Sequence, residues 1–184
     1  MPNWCMNEVR ISGPYSEVHD MLTKCGYYSN QEFKMNGFIP MPDEVRNTVS
    51  PMPKTEEQIL AEAKKYNWLV SEVNDMLSRA ITSEEAERYN ENYRKYGAHD
   101  WYDWAMKYWG VKWDLSDVAW VEVELPDPGD AKSTDDATFT INFDTAWGPP
   151  DMFYHFLSKN YPNCHISWFY HEPMMEFAGY LNNE

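Results

Sequence analysis

An α+β fold, with an antiparallel sheet, helices on one of its faces and a helical insertion, is the class that three stretches of this 184-residue sequence predict. The first is Ala137 to Pro150, ATFTINFDTAWGPP, where Ala137, Phe139, Ile141 and Phe143 alternate with Thr138, Thr140, Asn142 and Asp144. A period of two marks a strand with one apolar face. Pro149-Pro150, after the Thr145 to Gly148 turn, opens a helix, because a first-turn proline gives up only an N–H that has no partner there. The second stretch is an N-terminal alternation followed at once by helical spacing. The third is a long helical pattern between residues 55 and 110, set between two regions of strand signals.

Taken in order, Val9 and Ile11 alternate with Glu8, Arg10 and Ser12, so Cys5 to Ser12 is a first strand ended by Gly13-Pro14. Tyr15, Val18, Met21 and Leu22 then recur at helical spacing, with Ser16 as the expected cap and Gly26 as the stop. Glu32 to Ile39 reads as a short strand that Pro40-Met41-Pro42 breaks, since the residue before a proline is driven to extended backbone. From Thr55, the residues Ile59, Ala63, Tyr66, Val70, Val73 and Leu77 make one helical stripe behind a capping box of Thr55 and Gln58. Thr82 and Glu85 repeat that box, ahead of Ala86, Tyr89, Tyr93 and Tyr96 on one face and Gly97 as a stop. Asp100 caps a third helix through Trp109.

Strand signals return when Ala119, Val121, Val123 and Leu125, taken as the inward set, alternate with Trp120, Glu122 and Glu124. The turn-rich loop Pro126 to Asp136 joins this strand to 137–144 as a long hairpin, which places Glu122 and Glu124 on the same outer face as Asn142 and Asp144. Pro150 to Tyr161 is a helix, His165 to Tyr170 a strand, and Phe177 to Leu181 a short closing strand. Without the insertion the order is βαββαβ, a ferredoxin-like sandwich. The chain reads as a single domain over residues 1–184 with 55–110 inserted, a length that buries one sizeable core.

Composition narrows the function classes. Hydrophobic content of 43% with nine Trp, thirteen Tyr and eight Phe excludes disorder. No apolar run reaches the length of a membrane span and the N-terminus lacks a signal-peptide pattern, so a cytoplasmic location without membrane association is expected. Cys5, Cys25 and Cys164 form no CxxC pair and have no histidine at zinc-ligand spacing, so neither a metal site nor an iron–sulfur cluster is expected. The net charge is −15, and residues 118–184 carry eleven acids against Lys132 and Lys159. That sign disfavours direct nucleic-acid binding and suits a basic protein surface.

Several strings occur together and in order: MPNWC with Asn7 and Gly13, FIPMP at 38–42, YDWAMKYWGVKWD at 102–114, FDTAWGPP at 143–150, and YHEP followed by FAGY. In these the chain resembles the YubB-type ferredoxin-like proteins carried by bacteriophages and plasmids. The resemblance implies the fold and a mobile-element origin, and it brings no catalytic residues. The helical middle, 56–100, carries no such signature.

Candidate chemistry is sparse. His99 and Asp103 sit four apart at a helix start and lack a third ligand. His165 and His171 are assigned to opposite faces, with His171 taken as lying beyond its strand. Asp100 with Asp103 and Asp114 with Asp117 are carboxylate pairs, explained more simply by capping and turns than by acid–base work. No catalytic residue, metal or cofactor is expected.

The function expected is therefore that of a non-enzymatic acidic interaction protein. It would occupy a basic surface of a host protein through Glu122, Glu124, Asp127, Asp130, Asp135, Asp136 and Asp144, in host-defence antagonism or nucleic-acid mimicry. The alternative is a small-molecule or nucleotide pocket lined by Trp104, Trp109, Lys112, Trp113 and Trp147, where aromatic faces stack a base; core sealing at the junction of insertion and sheet is the plainer role for those indoles.

Overall fold

The computed structural model describes residues 3–127 and 129–182. In chain order the elements are β1 (Trp4–Pro14), α1 (Tyr15–Cys25), α2 (Tyr27–Asn30), α3 (Asp43–Arg46), α4 (Glu56–Tyr66), α5 (Val70–Leu77), α6 (Ser83–Tyr96), α7 (Trp101–Tyr108), β2 (Ser116–Glu124), β3 (Asp136–Ala146), α8 (Asp151–Asn160), β4 (His165–Glu172) and β5 (Phe177–Leu181). They fall into two compact units, Met1–Pro40 with Ala105–Glu184, and Met41–Trp104.

In the first unit the sheet runs β2-β3-β1-β4-β5, every neighbouring pair antiparallel. The order of the first four is that of a ferredoxin-like sheet, with β5 added at the β4 edge. Cys5, Val9 and Ile11 of β1, Phe139, Ile141 and Phe143 of β3, and Trp168 of β4 line the buried face with Val18, Met21 and Leu22 of α1 and Phe153 and Leu157 of α8. Each such side chain stabilises the fold by about 1.5–3 kcal/mol relative to exposure. Ring contacts bind the layer: Phe33 stacks on Phe143 at 6.1 Å, and Trp168 meets Phe143 edge-on at 5.5 Å. Asn7 joins three strands inside this layer. Its amide nitrogen donates to the Cys5 carbonyl at 2.9 Å and to Thr145 Oγ1 at 2.9 Å, while its oxygen accepts from the Trp168 indole at 3.0 Å.

The strand expected over Glu32 to Ile39 does not form; the segment is loop with a 3-10 turn at Met35–Gly37. Phe33 and Met35 are buried. The backbone N–H groups here find other partners: Lys34 donates to the Cys25 carbonyl at 3.2 Å, and Met35 and Asn36 donate to the Asp114 carboxylate at 2.8 and 3.1 Å. At the start of α1 the expected Ser16 cap is also absent, because Pro14 occupies the cap position and no side chain bonds there. Gly26 does end the helix, in the left-handed conformation at φ 96°.

β2 departs from simple alternation. Trp120 pairs with Ile141 and Glu122 with Thr140, so Val121 is an extra residue in the ladder and is 60% exposed. This bulge turns Trp120 inward instead of outward, where it meets Phe33 at 5.9 Å and Phe139 at 5.7 Å and donates to the Gln31 carbonyl at 2.8 Å. Glu122 and Glu124 keep the outer face. β4 runs through Glu172, and His165 and His171 share the outer face, opposite Ser12 and Met6. The six-residue spacing, being even, requires that in a regular strand.

In the second unit both capping boxes form, Thr55 with Gln58 and Thr82 with Glu85. The single helix expected from Thr55 to Leu77 is instead two, since Asn67 takes the left-handed conformation at φ 53° and Leu69 N–H is capped by Glu72 at 2.8 Å. Asp100 is buried and caps α7, accepting from Tyr102 and Asp103 N–H at 2.9 and 3.1 Å and, through its other oxygen, from Met52 N–H at 3.1 Å.

Candidate functional site

One face of the sheet in the first unit carries its outward residues into solvent, and the register fixes which ones. Glu8 stands between Asn142 and Phe169, Arg10 between Thr140 and Ser167, and Met6 between Asp144 and His171. β2 adds Glu122 opposite Thr140 and Glu124 opposite Thr138. β5 adds Tyr180 opposite Phe169. Among the described residues of these strands, the outward acids Glu8, Asp117, Glu122, Glu124, Asp136 and Asp144 face one outward cation of permanent charge, Arg10, which Glu122 holds at 3.4 Å.

Two hollows lie on this face. An open one of about 650 Å³ is lined by Arg10, Ser12, Glu124, Asp136 and Thr138. A narrower one of about 240 Å³ is lined by Met6, Glu8, Asp117, Asn142, Asp144, Phe169 and His171. Burial pushes the Asp144 carboxyl above the ordinary carboxylate range; the neighbouring Asp117 charge adds to the rise and His171 opposes it. The remaining expected acids belong to the loop before β3. Asp127 Oδ1 accepts from Gly129 N–H at 3.0 Å, Asp135 Oδ2 accepts from Lys132 N–H at 2.7 Å, and Asp130 is exposed. The Asp135 carbonyl accepts the Tyr15 N–H at 2.7 Å, which ties the loop to the start of α1.

A second cluster sits at one end of the same face. Trp113 and Trp147 lie 6.3 Å apart with ring planes 27° from parallel, and the Lys112 ammonium stands 4.5 Å from the first ring and 5.3 Å from the second. Trp4, the first residue of β1, adds a third ring 6.5 Å from Trp113. All three indoles are about two-fifths exposed, at 37%, 39% and 42% for Trp4, Trp113 and Trp147. Of the five residues expected to line an aromatic pocket, the structure thus gathers Lys112, Trp113 and Trp147. Trp109 is buried and donates its indole N–H to the Ile39 carbonyl at 3.1 Å, and Trp104 is buried and belongs to the second unit.

Sequence reasoning left Trp4 out of any site and, though it named Glu8, Asp117 and His171, did not bring them together in this hollow. Alternation from Met6 back to Trp4 was the available signal for the first; the others needed the strand register.

The other candidates resolve into structural roles. Asp114 is half-buried, and the loss of solvation raises its carboxyl against the lowering effect of the N–H groups of Leu115, Met35 and Asn36. His99 stacks on Tyr93 at 4.6 Å and its Nδ1 lies 3.9 Å from Asp103. Burial raises the thiols of Cys5, Cys25 and Cys164 to about 11, 12 and 12, which keeps them protonated and poorly nucleophilic at neutral pH. Among the described residues no group of three or more His, Cys, Asp and Glu is placed to hold a metal ion, and no helix is long and apolar enough to cross a membrane.

Residues 129–183, which contain β3, α8, β4 and β5, match a family model described as a ferredoxin-like domain in Api92-like protein. Among solved structures, the protein Api92 from Yersinia pseudotuberculosis is similar over 98% of this chain and 93% of its own, at 11% sequence identity and a TM-score of 0.42. No curated protein matches the chain.

Proposed function

We propose that this ferredoxin-like protein is a non-enzymatic binding module whose open, acidic sheet face receives a basic surface of another protein. The observation that carries the reading is the register: it lines up Glu8, Glu122, Glu124 and Asp144 on three adjoining strands with Arg10 as the counter-charge. Acids fixed on a sheet cost little ordering entropy when a partner arrives, and a one-signed face steers an oppositely charged partner and rejects like-charged ones. We take the partner to be a host protein, in keeping with the mobile-element origin that the sequence resemblance implies; a surface that ordinarily holds nucleic acid is one such target, and occupying it would inhibit it.

Capture from host lysate tests this. The wild-type chain is compared with a Glu122→Lys, Glu124→Lys, Asp144→Lys triple variant at low salt and at about 0.15 M salt, where screening extends to about 8 Å. A partner retained by the wild type, lost by the variant and weakened by salt is expected. The same proteins captured by both versions would overturn the reading.

A further inference from the structure

We infer that the indole cluster Trp4, Trp113 and Trp147 is a seat for an arginine side chain of the partner, and that Lys112 is an internal occupant which that arginine displaces. The inference rests on the basic-partner reading and names the group that the partner must present.

Two independent observations lead to it. A cation already stands on the rings: the Lys112 ammonium is 4.5 Å from Trp113 and 5.3 Å from Trp147, both within the range where the negative ring face attracts positive charge. The seat also adjoins carboxylates. Trp4 is two residues from Met6 on the same exposed face, and Met6 pairs with Asp144, which shares its hollow with Asp117. A phosphate-bearing ligand would meet these acids and a net charge of −15. A cation gains from both the rings and the acids.

The geometry selects arginine over lysine. The two rings on which Lys112 rests are only 27° from parallel with centroids 6.3 Å apart, which offers broad, similarly directed faces to a flat group. Guanidinium is planar and more weakly hydrated than ammonium, so it stacks on indole at lower desolvation cost. Arginine and tryptophan are also the residue types that most often dominate interface energetics. Trp147 holds its ring there with φ 68°, a left-handed backbone that a bulky residue rarely adopts and that a glycine would take without strain. Its backbone N–H donates to the Asn3 carbonyl at 2.9 Å, which pins the main chain from which the ring projects.

The test uses the full chain and a fluorescent peptide of alternating arginine and glycine, with a lysine–glycine peptide of equal charge beside it. The wild type is expected to bind the arginine peptide more tightly. Trp113→Ala or Trp147→Ala is expected to weaken binding at least about fivefold, a loss that only a minority of interface residues produce on truncation. Lys112→Ala is expected to strengthen it about two- to fivefold, the value of an exposed cation–π contact no longer to be displaced. A gain of affinity is a result that misfolding cannot produce, so this variant keeps the test sound if a tryptophan variant folds poorly.

If the triple charge reversal weakens the peptide while Trp147→Ala and Lys112→Ala leave it unchanged, the seat is overturned and the basic-partner reading stands. No binding of the peptide by the wild type likewise overturns the seat, while lysate capture judges the broader reading separately.

Discussion

Asn7 shows how much of the sheet depends on one polar side chain. It is buried and its amide donates to Cys5, Phe143 and Thr145 while accepting from Trp168, so β1, β3 and β4 are joined through a single group. Asn7→Ala strands the fully buried Trp168 indole N–H and removes several bonds at once. A loss of about 3 kcal/mol is expected, near the upper end for one stranded buried group. Calorimetric unfolding of the variant checks this, and an unchanged melting temperature would show the amide to be dispensable. Asp144 gives the opposite case at the same scale. Its folded-state pKa lies above the ordinary 3.8, so its ionised form is disfavoured by folding and the stability penalty is present at neutral pH. The penalty shrinks as pH falls through the raised value and is gone below the ordinary one. Asp144→Asn is therefore expected to melt higher than the wild type at pH 7, with the two curves converging in acid; a gain that persists below the ordinary value would point to a cause other than ionisation.

Among the elements, the loop from Gln31 to Pro40 separates what was legible from what was not. Phe33 and Met35 carry a strand's alternation, yet the N–H of Lys34 between them donates to the Cys25 carbonyl and those of Met35 and Asn36 to the distant Asp114 carboxylate, in place of a neighbouring strand. A period of two reports that alternate residues are buried and is silent on what the N–H groups bind. Gly37 is the second constraint there, since a Cβ at this position would stand 1.9 Å from the Lys24 carbonyl oxygen, which is backbone. Gly37→Ala is expected to cost about 1–3 kcal/mol, as overpacking a tight contact does, read from denaturant midpoints. Midpoints equal to the wild type would mean that the loop shifts freely. In contrast, both capping boxes and the β2–β3 hairpin were plain in the sequence because their signals are local. The bulge at Val121 was not, and it alone put Trp120 on the wrong face. The outer acids were legible through the alternation of β3, while Trp4 joins Trp113 and Trp147 across more than a hundred residues, a meeting that only the β1–β3 register brings about.

For the whole molecule, the charge of −15 makes salt act in two directions. The ion pairs of the fold are exposed, Arg10 with Glu122 at side-chain exposures of 55% and 44% and Arg79 with Asp75 at 72% and 61%, and each such pair is worth about 0–1 kcal/mol. Losing them to screening costs little. The excess of acids repels itself at all separations within a Debye length, and screening that repulsion favours the compact state. Raising salt from very low values to about 0.15 M is therefore expected to raise the melting temperature, while the same change weakens capture of a basic partner, because there the screened interaction is attractive. Opposite signs from one variable distinguish an acidic face that binds from one that only keeps the chain in solution. Melting and capture measured across one salt series decide it: capture that rises with salt alongside stability would mean that the partner is held by apolar contact and that the acids of the sheet play no part in recognition.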